Sequence, residues 1–160
     1  MRKVLRFHAA DPGPVEAGFT RSVALVLDGL PAPAFAAVDT GPSGTGLLVD
    51  ELARRPGPRG RYRMLSYTRR NPALSRAEFI DRWAAEAGRL GGEVIPDDVR
   101  GTAYVQDHPL EDDPEFDAIS EVWFPDVESL RRRAEWFAAR PVPSDLFDPA
   151  TSGALYLRDL

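Results

Sequence analysis

From Val99 to His108 the chain alternates without a break. Val99, Gly101, Ala103 and Val105 are small and apolar, while Arg100, Thr102, Tyr104, Gln106 and His108 are polar or aromatic. A period of two residues is the mark of a strand with two chemically different faces. Residues 117–124 repeat the pattern, with Ala118, Val122 and Phe124 on one side and Asp117, Ile119, Glu121 and Trp123 on the other. The acidic loop HPLEDDPEF joins the two stretches. The pattern predicts paired strands with Tyr104, Gln106, His108, Glu121 and Trp123 together on one polar, aromatic face.

The flanking segments predict what surrounds this pair. Residues 62–68 (YRMLSYT) read as a strand that Asn71-Pro72 breaks. Ser75 and Glu78 have the spacing of a capping box, and Leu74 and Phe79 that of a hydrophobic staple, so a helix is expected after Ser75. Its apolar side is Phe79, Ile80, Trp83 and Leu90, and Gly91-Gly92 is its expected end. Asp126 is placed to cap a second helix with Val127, Leu130, Ala134 and Phe137 on its apolar face, stopping before Pro141. A last strand is expected from Ala154. The resulting order, β-α-β-β-α-β, predicts an α+β fold: a ferredoxin-like unit, an antiparallel sheet with both helices on one face. The helices are expected over the small apolar face of residues 99–105. The polar, aromatic face would then stay open, and a second copy of the chain related by two-fold symmetry is the expected cover.

The Pro-, Gly- and Arg-rich stretch RRPGPRG (residues 54–60) reads as a linker. It divides the chain into a 61–160 domain and a 1–60 extension that is rich in β signals. Residues 3–8 read as a strand, and residues 22–30 as strand or helix. The segment PAPAFAAVDTGPSGTGLLVDEL reads as two short strands around a Gly-rich turn. One reading of this extension is a degenerate half of a second ferredoxin-like unit. Its length argues against a complete barrel within one chain.

Composition narrows the chemistry. The net charge of −5 argues against nucleic-acid and anionic-membrane partners. The absence of cysteine excludes disulfides, thiolate catalysis and cysteine-held zinc. With His8 and His108 the only histidines, no metal site is expected. No apolar run has the length of a membrane span, and the start is too weakly apolar for a signal peptide, so the cytoplasm is the expected compartment. The acidic residues of the 107–115 loop lack calcium-loop spacing and read as a solvated turn. Arg131, Arg132 and Arg133 read as the wet face of their helix.

Three stretches in order, RRNPALSRAEF, YVQDH and DAISEVWF, resemble the EthD family of the dimeric α+β barrel superfamily over about residues 61–160. The resemblance implies a sheet that dimerises to enclose a cavity. It also implies relatives that include polyketide cyclases, a methylmuconolactone isomerase and cofactor-free anthrone oxygenases. The family usually carries a histidine near the end of the first helix, and here that place is Ala87.

On this reading His108 is the candidate acid or base, because an imidazole exchanges protons near neutral pH. Glu121 or Asp117 would orient it, and Tyr104 and Gln106 would hydrogen-bond a developing enolate. Trp83, Trp123 and Tyr67 would form aromatic walls, with Arg69 a further substrate contact or a partner for Glu121. The expected function is a cofactor-independent enzyme for cyclisation, isomerisation or dehydration of a small aromatic or polyketide-like carbonyl compound, working as a homodimer. A non-catalytic small-molecule-binding or chaperone-like accessory protein is the alternative, and the missing helix histidine favours it. Other readings of the same residues stay open: His108 as an exposed loop histidine, Tyr104 and Trp123 as core, and Glu121 as one half of an ion pair with Arg100 or Arg69.

Overall fold

The computed structural model describes residues 1–86, 89–90, 93–140 and 145–160. Eight strands form one closed antiparallel barrel. They are β1 (Arg2–His8), β2 (Thr20–Ala24), β3 (Ala37–Gly41), β4 (Leu47–Arg55), β5 (Tyr62–Thr68), β8 (Ala103–Pro109), β9 (Ala118–Phe124) and β10 (Gly153–Asp159). A two-stranded hairpin, β6 (Arg89–Leu90) with β7 (Glu93–Val94), stands apart from it. Around the barrel the order is β1-β3-β2-β10-β5-β9-β8-β4, and β4 closes on β1. The first four strands of the barrel keep the same internal order as the last four: fourth, first, third, second.

This corrects the expected architecture. The protein is not an open ferredoxin-like α+β unit awaiting a second copy. It is a mostly β barrel with two short helices, α1 (Arg76–Ala85) and α2 (Val127–Ala138), and residues 1–60 contribute half of the wall. Closing the sheet on itself removes the free edges and the open face on which the dimer argument rested. The ferredoxin-like α/β description falls with it. Of residues 22–30, only 22–24 lie in a strand, Thr20–Ala24, and none in a helix. The strand expected over 99–107 begins at Ala103, because Gly101 takes a left-handed backbone (φ +76°) in the preceding turn.

Register corrects a second expectation. β8 pairs with β9 so that Ala103 faces Trp123 and Val105 faces Glu121, while Tyr104 faces Val122 and Gln106 faces Ser120. Cross-strand partners share a face. Ala103, Val105, Glu121 and Trp123 therefore point into the barrel, and Tyr104, Gln106 and His108 point outward under the helices. A one-residue difference in register exchanges the two faces completely.

The barrel interior is filled. Leu5, Val38, Val49, Leu65, Ile119, Leu155 and Leu157 pack its middle, all essentially fully buried. Phe7, Phe35, Tyr67 and Phe116 close one end, with ring centroids 5.0–6.3 Å apart. The other end holds charged groups and Trp123. The helices lie outside the wall, and α2 packs on β5 and β9 through Leu130 against Met64, Val122 and Phe124. α1 starts as expected. The Ser75 side chain accepts from the Glu78 N–H (3.2 Å), and Glu78 accepts from the Ser75 N–H (2.8 Å). Phe79, fully buried, anchors its inner face. α1 ends at Ala85, well before the expected glycines; Ala87, Gly91-Gly92, Pro141 and the Leu90 side chain lie outside the described residues. No helix among the described residues is long and apolar enough to cross a membrane.

Candidate functional site

The sequence-predicted site residues separate into three places. Glu121 and Trp123 belong to the charged end of the barrel interior. There Lys3, carried inward by β1, places its Nζ 2.7 Å from Glu51, 3.0 Å from Asp107 and 2.5 Å from Glu121. Arg63 Nε lies 3.0 Å from Glu121, Arg59 reaches Glu51, and the Arg59 guanidinium sits 4.6 Å over the Trp123 ring. Burial pushes the Glu121 carboxyl up, but Arg63 and Lys3 outweigh it and hold it ionised below its ordinary value. Asp107 is raised, first by burial and then by the neighbouring Glu121 charge, and only partly relieved by Lys3. Burial disfavours the Lys3 ammonium, yet Glu121 and Asp107 more than offset it and raise its pKa. Oxygens of Glu51, Asp107 and Glu121 lie within 4.8 Å of one another, a spacing that suits a metal ion. The Lys3 ammonium already takes the central place a cation would hold. The cluster is therefore self-neutralised, and Glu121 is not free to orient a catalytic histidine.

Tyr67, Asp117 and Arg69 mark the opposite end. Tyr67 is buried among Phe7, Phe35 and Phe116, and burial raises its phenol pKa. Asp117 accepts from the Arg70 side chain (2.8 Å) and the Arg70 N–H (2.9 Å). Arg69 lies 5.8 Å from the Phe116 ring. These are structural pairings, more than an active-site constellation.

The third group gathers beneath the helices. A cavity of about 310 Å³ lies between the outer barrel wall, α1 and α2. Met64, Val122, Phe79, Trp83 and Phe137 form its apolar walls, and Ser66, Ser120 and Tyr104 place hydroxyl groups on the strand side. Phe79 and Trp83 stack at 6.2 Å and 15°. Tyr104 accepts from Gln106 Nε2 (3.0 Å), and Gln106 in turn accepts from Arg54 (2.8 Å). That chain fixes the Tyr104 oxygen, and burial raises its phenol pKa, so it stays a neutral donor. His108 packs on Trp83 with centroids 4.9 Å apart but does not line the cavity. Burial, then the Arg54 charge, lowers its pKa and keeps the imidazole neutral; Nε2 is buried without a partner.

The structure thus brings Tyr104, Trp83, Gln106 and His108 together, and leaves Glu121, Trp123, Tyr67, Arg69 and Asp117 elsewhere. Sequence reasoning missed Arg133, Arg55 and Lys3. Arg133 lines the cavity and is 6% exposed, although Arg131–Arg133 read as one wet run. The available signal was spacing: Arg133 follows Leu130 by three and precedes Phe137 by four, which places it on the apolar stripe. Lys3 alternates with Leu5 and Phe7, the same inward set of β1.

Fold and site together define a class: a closed, filled antiparallel barrel with a lateral cavity roofed by two helices. Among known proteins, no family model, no curated protein and no solved structure matches the chain.

Proposed function

We propose that this chain binds a small, flat, mainly apolar carbonyl compound in the helix-roofed cavity. The observation that carries the reading is the cavity itself. It has the size and composition of a ligand site: apolar and aromatic walls with a few converging hydroxyl groups. A neutral Tyr104 phenol, held by Gln106 and Arg54, suits donation to a carbonyl or enolate oxygen. The EthD-like stretches point to the same ligand class, and a cytoplasmic setting goes with the reading.

A binding or holding role fits better than turnover, because Glu121 is committed to Lys3 and Arg63, and His108 packs on Trp83 without lining the cavity. One observation favours a second reading, cofactor-free acid–base catalysis: the neutral His108 ring keeps a buried, unpartnered Nε2 beside Trp83. For that role a turn of Trp83 would have to open His108 to the ligand.

The test is calorimetric titration with 1-acetonaphthone, a flat aromatic ketone, against wild type and Ser120→Phe. Ser120 is a small residue of the wall, and phenylalanine fills the space beside it. Saturable binding by wild type, lost in a folded Ser120→Phe, is expected. Binding that survives the filled cavity, or no binding by wild type of either this ketone or its acid counterpart 1-naphthoate, rejects the reading. His108→Ala separates the two roles. Under the binding reading its affinity stays within about threefold of wild type.

A further inference from the structure

The roofed cavity contains a cation that the protein itself does not neutralise. Arg133, on α2, is 6% exposed, and no carboxylate lies within ion-pair distance of it among the described residues. Its Nη1 donates to the Val99 carbonyl oxygen (3.0 Å), and its guanidinium carbon stands 4.2 Å over the Phe137 ring. Its Nε is buried with no partner. Burial lowers its pKa to about 10, which still leaves it charged at neutral pH.

A buried guanidinium without a counter-ion is costly, and such groups are normally paired. Packing alone does not call for one here, since an apolar side chain of similar length would fill the same place. A second arginine repeats the signal. Arg55, from β4, also lines the cavity; it donates to the Arg100 carbonyl oxygen, and its Nε is likewise buried and unpartnered. The carboxylates at the cavity do not answer either of them: Asp145 is taken by Arg82 (2.8 Å), and Glu86 pairs with neither Arg133 nor Arg55. Four arginines (Arg55, Arg82, Arg100 and Arg133) and two carboxylates therefore line this one space.

Resting on the cavity being a ligand site, we infer that its ligand is an organic anion, an aromatic acid whose carboxylate pairs with the Arg133 guanidinium while its ring lies among Trp83, Phe79 and Val122. Arginine suits this task because its planar fork offers parallel N–H donors to a carboxylate. Tyr104, on the wall opposite the helices, remains available to a carbonyl or hydroxyl group on the same ligand. A cationic ligand is disfavoured by the same charges.

The experiment compares two probes of nearly equal shape by calorimetry: 1-naphthoate, which carries the carboxylate, and 1-acetonaphthone, which is neutral. Wild type is expected to prefer the naphthoate by about 10- to 100-fold, the worth of a hydrogen-bonded charged group. Arg133→Met should remove that preference while keeping the ketone affinity within about threefold. Arg133→Lys should retain part of the preference. Wild type that binds the ketone as well as the acid overturns the inference and leaves the cavity reading standing, and this comparison needs no variant to fold. Preference kept by Arg133→Met also overturns it. Failure of both probes to bind defeats the cavity reading, and this inference with it.

Discussion

Replacing Lys3 with methionine tests the charged end of the barrel directly. Methionine keeps most of the side-chain length and removes only the ammonium. In the native protein that ammonium is shared among Glu51, Asp107 and Glu121 at 2.5–3.0 Å, with side chains 8% exposed or less. Without it, Glu51 retains Arg59 and Glu121 retains Arg63, but Asp107 loses the one cation in contact with it among the described residues. Removing one partner of a buried ion cluster typically costs about 3–5 kcal/mol. For a chain of 160 residues each kcal/mol lowers Tm by about 2–4 °C, so a drop of about 6–20 °C is expected. Urea unfolding followed by tryptophan fluorescence, together with scanning calorimetry, measures it. Adding Asp107→Asn removes the carboxylate left without a cation and should recover part of the loss. The deficit should also shrink in acid. Glu51 and Glu121 are held below their ordinary values in the native state, so their stabilisation is present above the unfolded pKa and lost as pH falls. A loss under about 1 kcal/mol at neutral pH, the size of an exposed pair, would refute the claim that Lys3 neutralises a desolvated cluster.

Two further substitutions probe neighbouring features. Asp107 has a raised native pKa, so above its ordinary range the folded protein holds a proton that the unfolded chain releases. Its contribution is present at low pH and lost as pH rises, at about 1.4 kcal/mol per pH unit within that window. Asp107→Asn cannot ionise and should gain on wild type as pH increases; parallel urea midpoints from about pH 4 to 9 would contradict the retained proton. Gly101→Ala should destabilise by about 1–2 kcal/mol for the left-handed backbone and about 1–3 more for overpacking, because its Cβ would stand 2.5 Å from the Trp123 carbonyl oxygen. Unchanged thermal stability would mean that the turn relaxes freely.

Local structure was largely legible in the chain. The capping box at Ser75 and Glu78, the Asp126 cap and the strands at 62–68 and 118–124 all rest on contacts a few residues apart or on a period of two, which a sequence carries directly. Tyr104, Gln106 and His108 were legible as one face for the same reason, but their cover by Trp83 and the helices was not. Nor were their true surroundings. Whether Tyr104 shares a face with Glu121 or with Val122 turns on a register of one residue between two strands, and both choices satisfy the alternation. The closure of residues 1–60 onto the rest was equally hidden, since the β4–β8 ladder joins segments about 50 to 60 residues apart and the β2–β10 ladder segments about 135 apart, while β1–β4 ties together the two ends of residues 1–60. Lys3 became the centre of a carboxylate cluster, and Arg133 an unpaired cation in a cavity, only when those ladders and the α2 packing brought distant residues together. Sequence by itself determined the elements and the alphabet of the site; tertiary structure alone decided which side of the wall each letter faces, because inward and outward are properties of the closed barrel and not of any one strand.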